Sequence, residues 1–238
     1  MQQDVAELRD FYQSRLGHIV RRTVQLHIRK RWASAKGETL VGLGFATPFL
    51  SGLRVGAGHV AALMPAGQGA LVWPRQGGVM TVLAEEDKLP LPDACVDKLL
   101  AVHCLEHAER VRPMLREMWR VLAPQGSLIM IVPNRRGLWA RIDTTPFGQG
   151  QPYSRRQLEK LLVDALLTPV DWTSALYAPP FDRRIVVRTS GAFEKLGARF
   201  TPGFAGVVIV EAKKDIEARI GKLARMPVAV EVATVKGR

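Results

Sequence analysis

The sequence predicts an α/β fold built on a doubly wound sheet. Three observations support this fold class: short apolar segments alternate with helical periodicities from residue 38 onward, a glycine-rich turn follows the first of these segments, and 47% of the 238 residues are hydrophobic. Alternating strands and helices are typical of sheets with helices on both faces. This length and composition exclude a disulfide-stabilised miniprotein and a disordered chain.

The first predicted element is a basic amphipathic helix from Val5 to Trp32, which Gly17 is expected to interrupt. Its apolar positions recur at helical spacing, and basic residues fill other positions. We favour packing of the apolar face on the sheet over binding to a membrane surface, because that face contains β-branched residues and the chain continues directly into a domain. Pairing of two chains through this helix, as a homo-oligomer, stays an alternative.

The remaining elements divide the chain into three parts. Residues 1–37 hold the helix, 38–224 form the α/β domain and 225–238 form a C-terminal tail. Residues 133–153 are rich in Gly, Pro and Arg and too long for an ordinary connection, which predicts a functional loop or lid. Strands are predicted near residues 38–42, 59–63, 70–73, 79–83, 96–102, 126–132, 184–189 and 206–211, and helices over 48–54, 106–122, 154–165 and 212–224.

The net charge of +12 is concentrated at the two ends of the chain. Residues 1–37 carry +5 and residues 183–238 carry +7, whereas the residues between them are neutral. Such a surface attracts phosphate, nucleic acid or other anions, and solvated basic faces are the alternative interpretation.

The cysteines and the apolar segments predict the cellular compartment in which the protein works. Cys95 and Cys104 are the two cysteines, which fits a reducing environment better than a disulfide scaffold. The first residues carry acids where a signal peptide has positive charge, and no apolar run approaches the ~18 residues of a membrane span. We therefore expect a cytoplasmic protein without a transmembrane segment.

Four motifs follow one another along the domain. A glycine-rich turn, GLGFA, covers residues 42–46, and Pro48 then suits the first turn of a helix. Glycines at a strand-to-helix turn let the backbone N–H groups approach a ligand. The other motifs are LPLPDACVDKLLAVHCLEH at residues 89–107, RVLAPQGSLIMIVPN at residues 120–134 and PYSRRQL at residues 152–158.

Together these motifs resemble the class-I SAM-dependent methyltransferase family, of the methyltransferase-11-like type, over residues 38–210. The resemblance implies a mostly parallel, seven-stranded, Rossmann-like sheet with S-adenosyl-L-methionine (SAM) across the carboxyl ends of its first strands. It implies a cofactor site in which Gly42, Gly44 and Ala46 line the methionine end, Glu85 and Glu86 lie near adenine, and Ala101, Val102 and His103 lie beside the transferable methyl group.

His103 is the candidate catalytic residue. A neutral imidazole at this position could steer or deprotonate the nucleophile of the acceptor. The alternative is a ring that is held by a backbone partner. The segment from His103 to His107 also matches the H-x-x-E-H zinc pattern, but it ends a predicted strand and does not lie within a long helix, so we expect no metal site.

The cofactor motif departs from the family pattern at two acids. Leu40 stands where the family has an acid, and no Asp or Glu lies between Glu38 and Glu85 to hold the ribose hydroxyls. Such a loss removes roughly 1.5–3 kcal/mol and weakens cofactor binding about ten- to a hundredfold. Two functions are therefore considered: a methyltransferase acting on an unidentified anionic acceptor, and a non-catalytic protein of the same fold that binds RNA or a protein partner through its basic surface.

The side chains in and beside the loop at residues 133–153 suggest the chemical class of the methyl acceptor. Arg135, Arg136, Arg141 and Tyr153 are the candidate substrate-binding residues, because arginine suits phosphate and carboxylate. Aromatic rings interleaved with arginines are also typical of single-strand nucleic-acid grooves. We expect a small anionic substrate or an RNA segment. Anchoring of the loop by its aromatic residues is the alternative.

Overall fold

Seven strands form one sheet within the residues that the structure describes, which are 3–181, 191, 193–194, 196–200 and 202–214 of this computed structural model. The strands are β1 (Thr39–Gly44), β2 (His59–Pro65), β3 (Thr81–Ala84), β4 (Val96–Val102), β5 (Leu122–Pro133), β6 (Leu167–Ala175) and β7 (Val207–Lys214). Their order is β3-β2-β1-β4-β5-β7-β6. Only β7 runs antiparallel to its neighbours, which confirms the predicted doubly wound, mostly parallel fold.

The strand order reverses between β1 and β4. These two strands pair in parallel, with Gly44 beside Val102 at their carboxyl ends. In open α/β sheets, ligands bind outside the carboxyl ends of the strands at such a reversal. The topology therefore places the candidate site at the turns that follow β1 and β4.

The helices α1 (Val5–Gln13), α2 (Arg15–Arg31), α3 (Thr47–Leu50), α4 (Val111–Val121) and α5 (Arg155–Asp164) flank this sheet, and residues 196–200 are also helical. The break between α1 and α2 falls at Ser14, three residues before the predicted position. Ser14 caps α2, because its hydroxyl accepts a hydrogen bond from the N–H of Gly17 at 3.0 Å. Gly17 is needed at this corner, since a Cβ there would lie 1.9 Å from the carbonyl oxygen of Phe11.

The two faces of the sheet bury separate cores. On one face, α1 and α2 pack against β1, β5 and β7, and Val20, Val24 and Ile28 are almost wholly buried. On the other face, α4 and α5 cover the sheet. The apolar stripe of α1 and α2 is thus buried in the chain's own core and is unavailable for pairing two chains. Among the described residues, no helix is both long and apolar enough to cross a membrane.

One predicted strand is absent from the structure, and one observed strand was not predicted. Residues 70–73 form no strand, although Leu71 and Trp73 pack against the core. Strand β6 was missing from the prediction because Pro169 and Asp171 interrupt its alternation. A proline is tolerated there because β6 is an edge strand, and its pairing with β7 shifts register between these two residues.

Part of the prediction falls on residues outside the described ranges. The strand predicted at 184–189 and the tail at 225–238 lie there entirely. Residues 212–214 of the predicted helix 212–224 belong to β7, and the rest of that helix lies outside the described residues.

Candidate functional site

The turn after β1 is held directly against the end of β4. The N–H of Phe45 donates to the carbonyl of Val102 at 2.8 Å. Gly44 has a φ of +77°, and a Cβ there would lie 2.2 Å from the Val102 carbonyl oxygen. Glycine is therefore required by both conformation and space. The structure brings the predicted residues of the glycine-rich turn together with those at the end of β4. All six are buried: Gly42, Gly44, Ala46, Ala101, Val102 and His103.

Two side chains approach the ring nitrogens of His103, and the one at Nε2 makes a hydrogen bond. The hydroxyl of Tyr12 lies 2.8 Å from Nε2, and a carboxylate oxygen of Glu106 lies 3.2 Å from Nδ1. The amide of Gln68 donates to the His103 carbonyl at 2.6 Å. The backbone has a φ of +51°, an uncommon conformation outside glycine that is frequent at functional sites. A side-chain hydroxyl, and not the backbone group of the alternative interpretation, therefore makes the hydrogen bond to this ring, at Nε2.

Glu106 is a buried carboxylate within this cluster. Its side chain is only 1% exposed, and neither carboxylate oxygen has a hydrogen-bond partner among the described residues. Its charge also acts on its neighbours: burial and then Glu106 raise the pKa of Tyr12 well above the usual value. Burial lowers the pKa of the nearby His107. A carboxylate close to Nδ1 favours a proton on that nitrogen, which leaves Nε2 as the nitrogen that can accept one.

Helix α1 covers the site through aromatic contacts. The ring of Tyr12 stacks on Phe45, with centroids 5.6 Å apart and planes at 24°, and meets Phe49 edge-on at 5.6 Å. Phe147 of the loop lies 4.7 Å from the His103 ring. Protein side chains therefore fill the space over the glycine-rich turn.

A cavity of about 260 Å³ lies beyond these aromatic rings, at the carboxyl ends of β2 and β3. The predicted adenine-contacting residues Glu85 and Glu86 line it, together with Asp87, Glu109 and Arg110. Glu86 accepts a hydrogen bond from the N–H of Glu109 at 3.2 Å. Burial raises the pKa of Glu86. We call the space outside the carboxyl ends of β1 to β4 the crevice. The end of the crevice that this cavity forms is open and acidic.

The acids that the family pattern requires are not replaced nearby. Glu38 precedes β1, at the opposite end from the glycine-rich turn, and pairs with Lys98. Strand β2 ends at Pro65, and the first polar side chain after it is Gln68. Gln68 is buried, and its side-chain amide is already engaged, because it donates to the carbonyl of His103; its backbone carbonyl accepts from the N–H of Val5 at 2.9 Å.

A SAM-sized cofactor fits this crevice at one end. The acidic cavity has room and hydrogen-bond acceptors for an adenosine. The methionine end fits only if Tyr12 moves away from Phe45, because the stacked rings occupy that space. Sequence reasoning missed the roles of Tyr12, Glu106 and Gln68. The signal for Tyr12 was its hydroxyl within an otherwise apolar helical stripe.

The loop between β5 and α5 is anchored by its aromatic residues. Trp139 donates its indole N–H to the carbonyl of Ala178 at 2.8 Å, and Tyr153 donates its hydroxyl to the carbonyl of Leu105 at 3.3 Å. Both side chains are buried, as is Phe147. Arg135 and Arg141, in contrast, are exposed. The aromatic residues thus pack the loop onto the sheet and leave its arginines at the surface.

Arg136 lines a second, larger cavity of about 1,420 Å³ between α2, the start of α5 and β6. We call this cavity the basic groove. Its lining cations are Arg22, Lys30, Arg136, Arg155 and Arg156. Neither here nor elsewhere in the described residues do three His, Cys, Asp or Glu side chains cluster in a way that could hold a metal ion.

Comparisons with known proteins agree with this architecture. Residues 41–130 match the model of a methyltransferase domain family, which covers the glycine-rich turn and the candidate catalytic segment. The chain is 32% identical over 94 residues to ajmaline N-methyltransferase of Rauvolfia serpentina, a match that covers 38% of this chain and 30% of that relative.

Solved structures share the fold over more of the chain. One is the complex of the Haloferax volcanii Trm112 methyltransferase activator with a methyltransferase: 17% identity, TM-score 0.63, covering 90% of this chain and 100% of that one. Another is geranyl diphosphate C-methyltransferase from Streptomyces coelicolor: 15% identity, TM-score 0.54, covering 80% of this chain and 78% of that one. At these identities the likeness concerns the fold.

Proposed function

We propose that the chain is a class-I methyltransferase that transfers a methyl group from SAM to an anionic acceptor, because residues 41–130 match the model of a methyltransferase domain family. The observation that carries this proposal is the junction of β1 and β4. The glycine-rich turn lies there against Val102, directly beside the buried pair of His103 and Glu106. A ligand-binding turn and an oriented imidazole at one strand reversal suit the transfer of a group from a cofactor to a nucleophile.

SAM supplies a methyl group that is already activated by its sulfonium centre. The geranyl diphosphate C-methyltransferase neighbour was solved with S-adenosyl-L-homocysteine, which supports a cofactor of this class. In this chain, Glu85 and Glu86 would hold the adenosine end through hydrogen bonds to their carboxylates, and the backbone of Gly42 to Ala46 would face the methionine end. Backbone groups would then compensate in part for the missing ribose acid.

His103 acts in this proposal on the acceptor's proton. A carboxylate oxygen of Glu106 lies 3.2 Å from Nδ1, and Nε2 is the ring atom that can accept a proton once the Tyr12 hydroxyl has left it. The rest of the rate enhancement comes from holding the acceptor close and aligned, which can supply several kcal/mol, roughly 7–11 in well-oriented systems. The exposed arginines Arg135, Arg136 and Arg141 support an acceptor that carries phosphate or carboxylate.

We also propose that the protein works in the cytoplasm. Both cysteines are free thiols in the structure, and Cys104 is buried beside His103. Thiols persist in a reducing compartment.

The proposal is tested by titrating SAM and S-adenosyl-L-homocysteine into the full-length protein in a calorimeter. We expect both to bind, and we expect Glu86→Gln to weaken SAM binding by about tenfold, because it removes a charge-assisted hydrogen bond. Glu159→Gln is the matched control: Glu159 is exposed on α5, far along the chain from the acidic cavity, and its loss should leave the affinity unchanged. Absence of binding at millimolar concentrations of both compounds would contradict the proposal and favour the non-catalytic alternative.

A further inference from the structure

The basic groove carries an unusual concentration of positive charge, of which the proposed methyl transfer uses only Arg136. Arg22 and Lys30 lie on α2, Arg136 follows β5, and Arg155 and Arg156 begin α5. None of these five cations has an ion-pair partner within the described part of the chain. Charges held close together without counterions attract an anionic ligand.

One acid also lines the groove, but its carboxylate is already engaged. Glu194 accepts hydrogen bonds from the N–H groups of Leu176 and Tyr177 at 3.2 Å and 2.8 Å. The carboxylate of Glu194 is thereby directed at the backbone that follows β6. The groove therefore keeps a strong excess of positive potential.

The dimensions of the groove favour an extended ligand. Its volume of about 1,420 Å³ exceeds the roughly 300–1,000 Å³ of an ordinary small-molecule pocket. Arg22 and Lys30 are eight residues apart on α2, which corresponds to about 12 Å along the helix axis. Cations spaced in this way along one wall can contact successive phosphates of one strand.

Rings between the cations favour nucleic acid over other polyanions. Trp172 is half-buried in the groove, and the guanidinium of Arg155 lies 4.9 Å from its ring centroid. His27 also lines the groove, and burial followed by the charges of Lys30 and Arg31 lowers its pKa, so that it presents a neutral ring near pH 7. Bases stack on such rings while basic residues follow the backbone.

A membrane surface is a poorer match. A helix that binds a bilayer inserts its apolar face into the lipid. Here the apolar stripe of α2 is buried against the sheet, and the cations line a concave wall that a planar surface cannot enter.

We propose that the basic groove binds single-stranded nucleic acid. The inference stands on the groove alone, so it does not depend on methyl transfer. If both proposals hold, the nucleic acid is the acceptor or positions it.

The test measures the binding of fluorescent oligonucleotides of about 12 nucleotides, within the site size of known single-strand binders, by fluorescence anisotropy. Uridine and deoxythymidine oligonucleotides distinguish RNA from DNA. The groove variant is Arg22→Glu with Arg156→Glu. The matched control is Arg112→Glu with Arg116→Glu, which makes the same change in net charge on the exposed surface of α4. All four arginines are exposed, so both variants should fold, which thermal unfolding checks.

We expect the groove variant to weaken binding at least about tenfold more than the control. We also expect it to reduce the salt dependence, since each lost phosphate contact on a single strand lowers the slope of log K against log salt by about 0.7. Equal weakening by both variants would overturn the proposal, because net charge alone would then explain binding. So would equal competition by polyglutamate, or binding of anionic phospholipid vesicles without binding of either oligonucleotide. SAM binding without oligonucleotide binding would overturn this inference and leave the proposed function standing.

Discussion

Replacing Gly44 by alanine is expected to lower the free energy of unfolding by about 3 kcal/mol or more. Two costs add at this position. A residue with a Cβ at positive φ costs roughly 1–2 kcal/mol, and forcing a methyl group into an occupied space costs about 1–3 kcal/mol more. The occupied space is the Val102 carbonyl oxygen, 2.2 Å from the added carbon, which is backbone and cannot rotate away. Denaturant unfolding measures the change.

Gly37 provides a matched control for this substitution. It has a φ of +74°, close to the +77° of Gly44, but an added Cβ would meet no atom within 4 Å. Gly37→Ala should therefore cost only the conformational part, about 1–2 kcal/mol. Equal losses for the two variants would show that β1 and β4 do not approach each other as closely as described.

Replacing Tyr12 by alanine is expected to tighten the binding of S-adenosyl-L-homocysteine by about tenfold while destabilising the fold. The ring of Tyr12 stacks on Phe45 over the glycine-rich turn, so a cofactor must displace it to reach that turn. A ligand that binds a minor open state loses affinity in proportion to the population of that state, and removing the ring raises this population. Loss of a buried aromatic side chain should cost about 3–5 kcal/mol of stability.

Two variants separate these effects. Tyr12→Phe keeps the ring and removes only the hydrogen bond to His103, so the affinity should stay near that of the unmodified protein. Leu8→Ala removes a fully buried side chain one turn earlier in α1 and controls for general loosening of the helix. The explanation fails if Tyr12→Ala binds the ligand no more tightly than Leu8→Ala does.

The sequence was most informative about the parallel part of the sheet. Strand β4 lies at the predicted residues 96–102, and β1 and β2 extend only two residues beyond the predicted ends. Strands β1 and β2 are mostly apolar and end at a glycine and a proline, and β4 is apolar from Leu99 to Val102, so each contains a clear apolar run. The edge strand β6 was not predicted, because an edge strand is less buried and tolerates Pro169 and Asp171, which interrupt its apolar pattern.

The site was predictable where it depends on neighbouring strands and unpredictable where it depends on α1. Gly44 and Val102 meet because parallel strands β1 and β4 pair, which the motif order indicates. The contact of Tyr12 with His103 joins residues 91 positions apart. Helical periodicity places Tyr12 on the buried stripe but does not indicate which part of the sheet that stripe covers.

The missing acids have a structural counterpart. In place of an acid after β2, Gln68 ties together the end of β2, the start of α1 and the carbonyl of His103. The side-chain amide of Gln68 donates to the His103 carbonyl, which an ionised carboxylate cannot do, while its backbone carbonyl accepts from the N–H of Val5. The loss of the ribose acid and the closure of the crevice by α1 thus depend on the same few residues.

The central claim is that the crevice between β1 and β4, beneath α1, is the cofactor site. Hydrogen–deuterium exchange with and without S-adenosyl-L-homocysteine tests it most directly, because exchange reports local opening along the backbone. We predict slower exchange at residues 42–46, 85–86 and 101–103, together with faster exchange in α1 as Tyr12 leaves the crevice. Unchanged exchange at millimolar ligand, or protection confined to the basic groove, would contradict the claim.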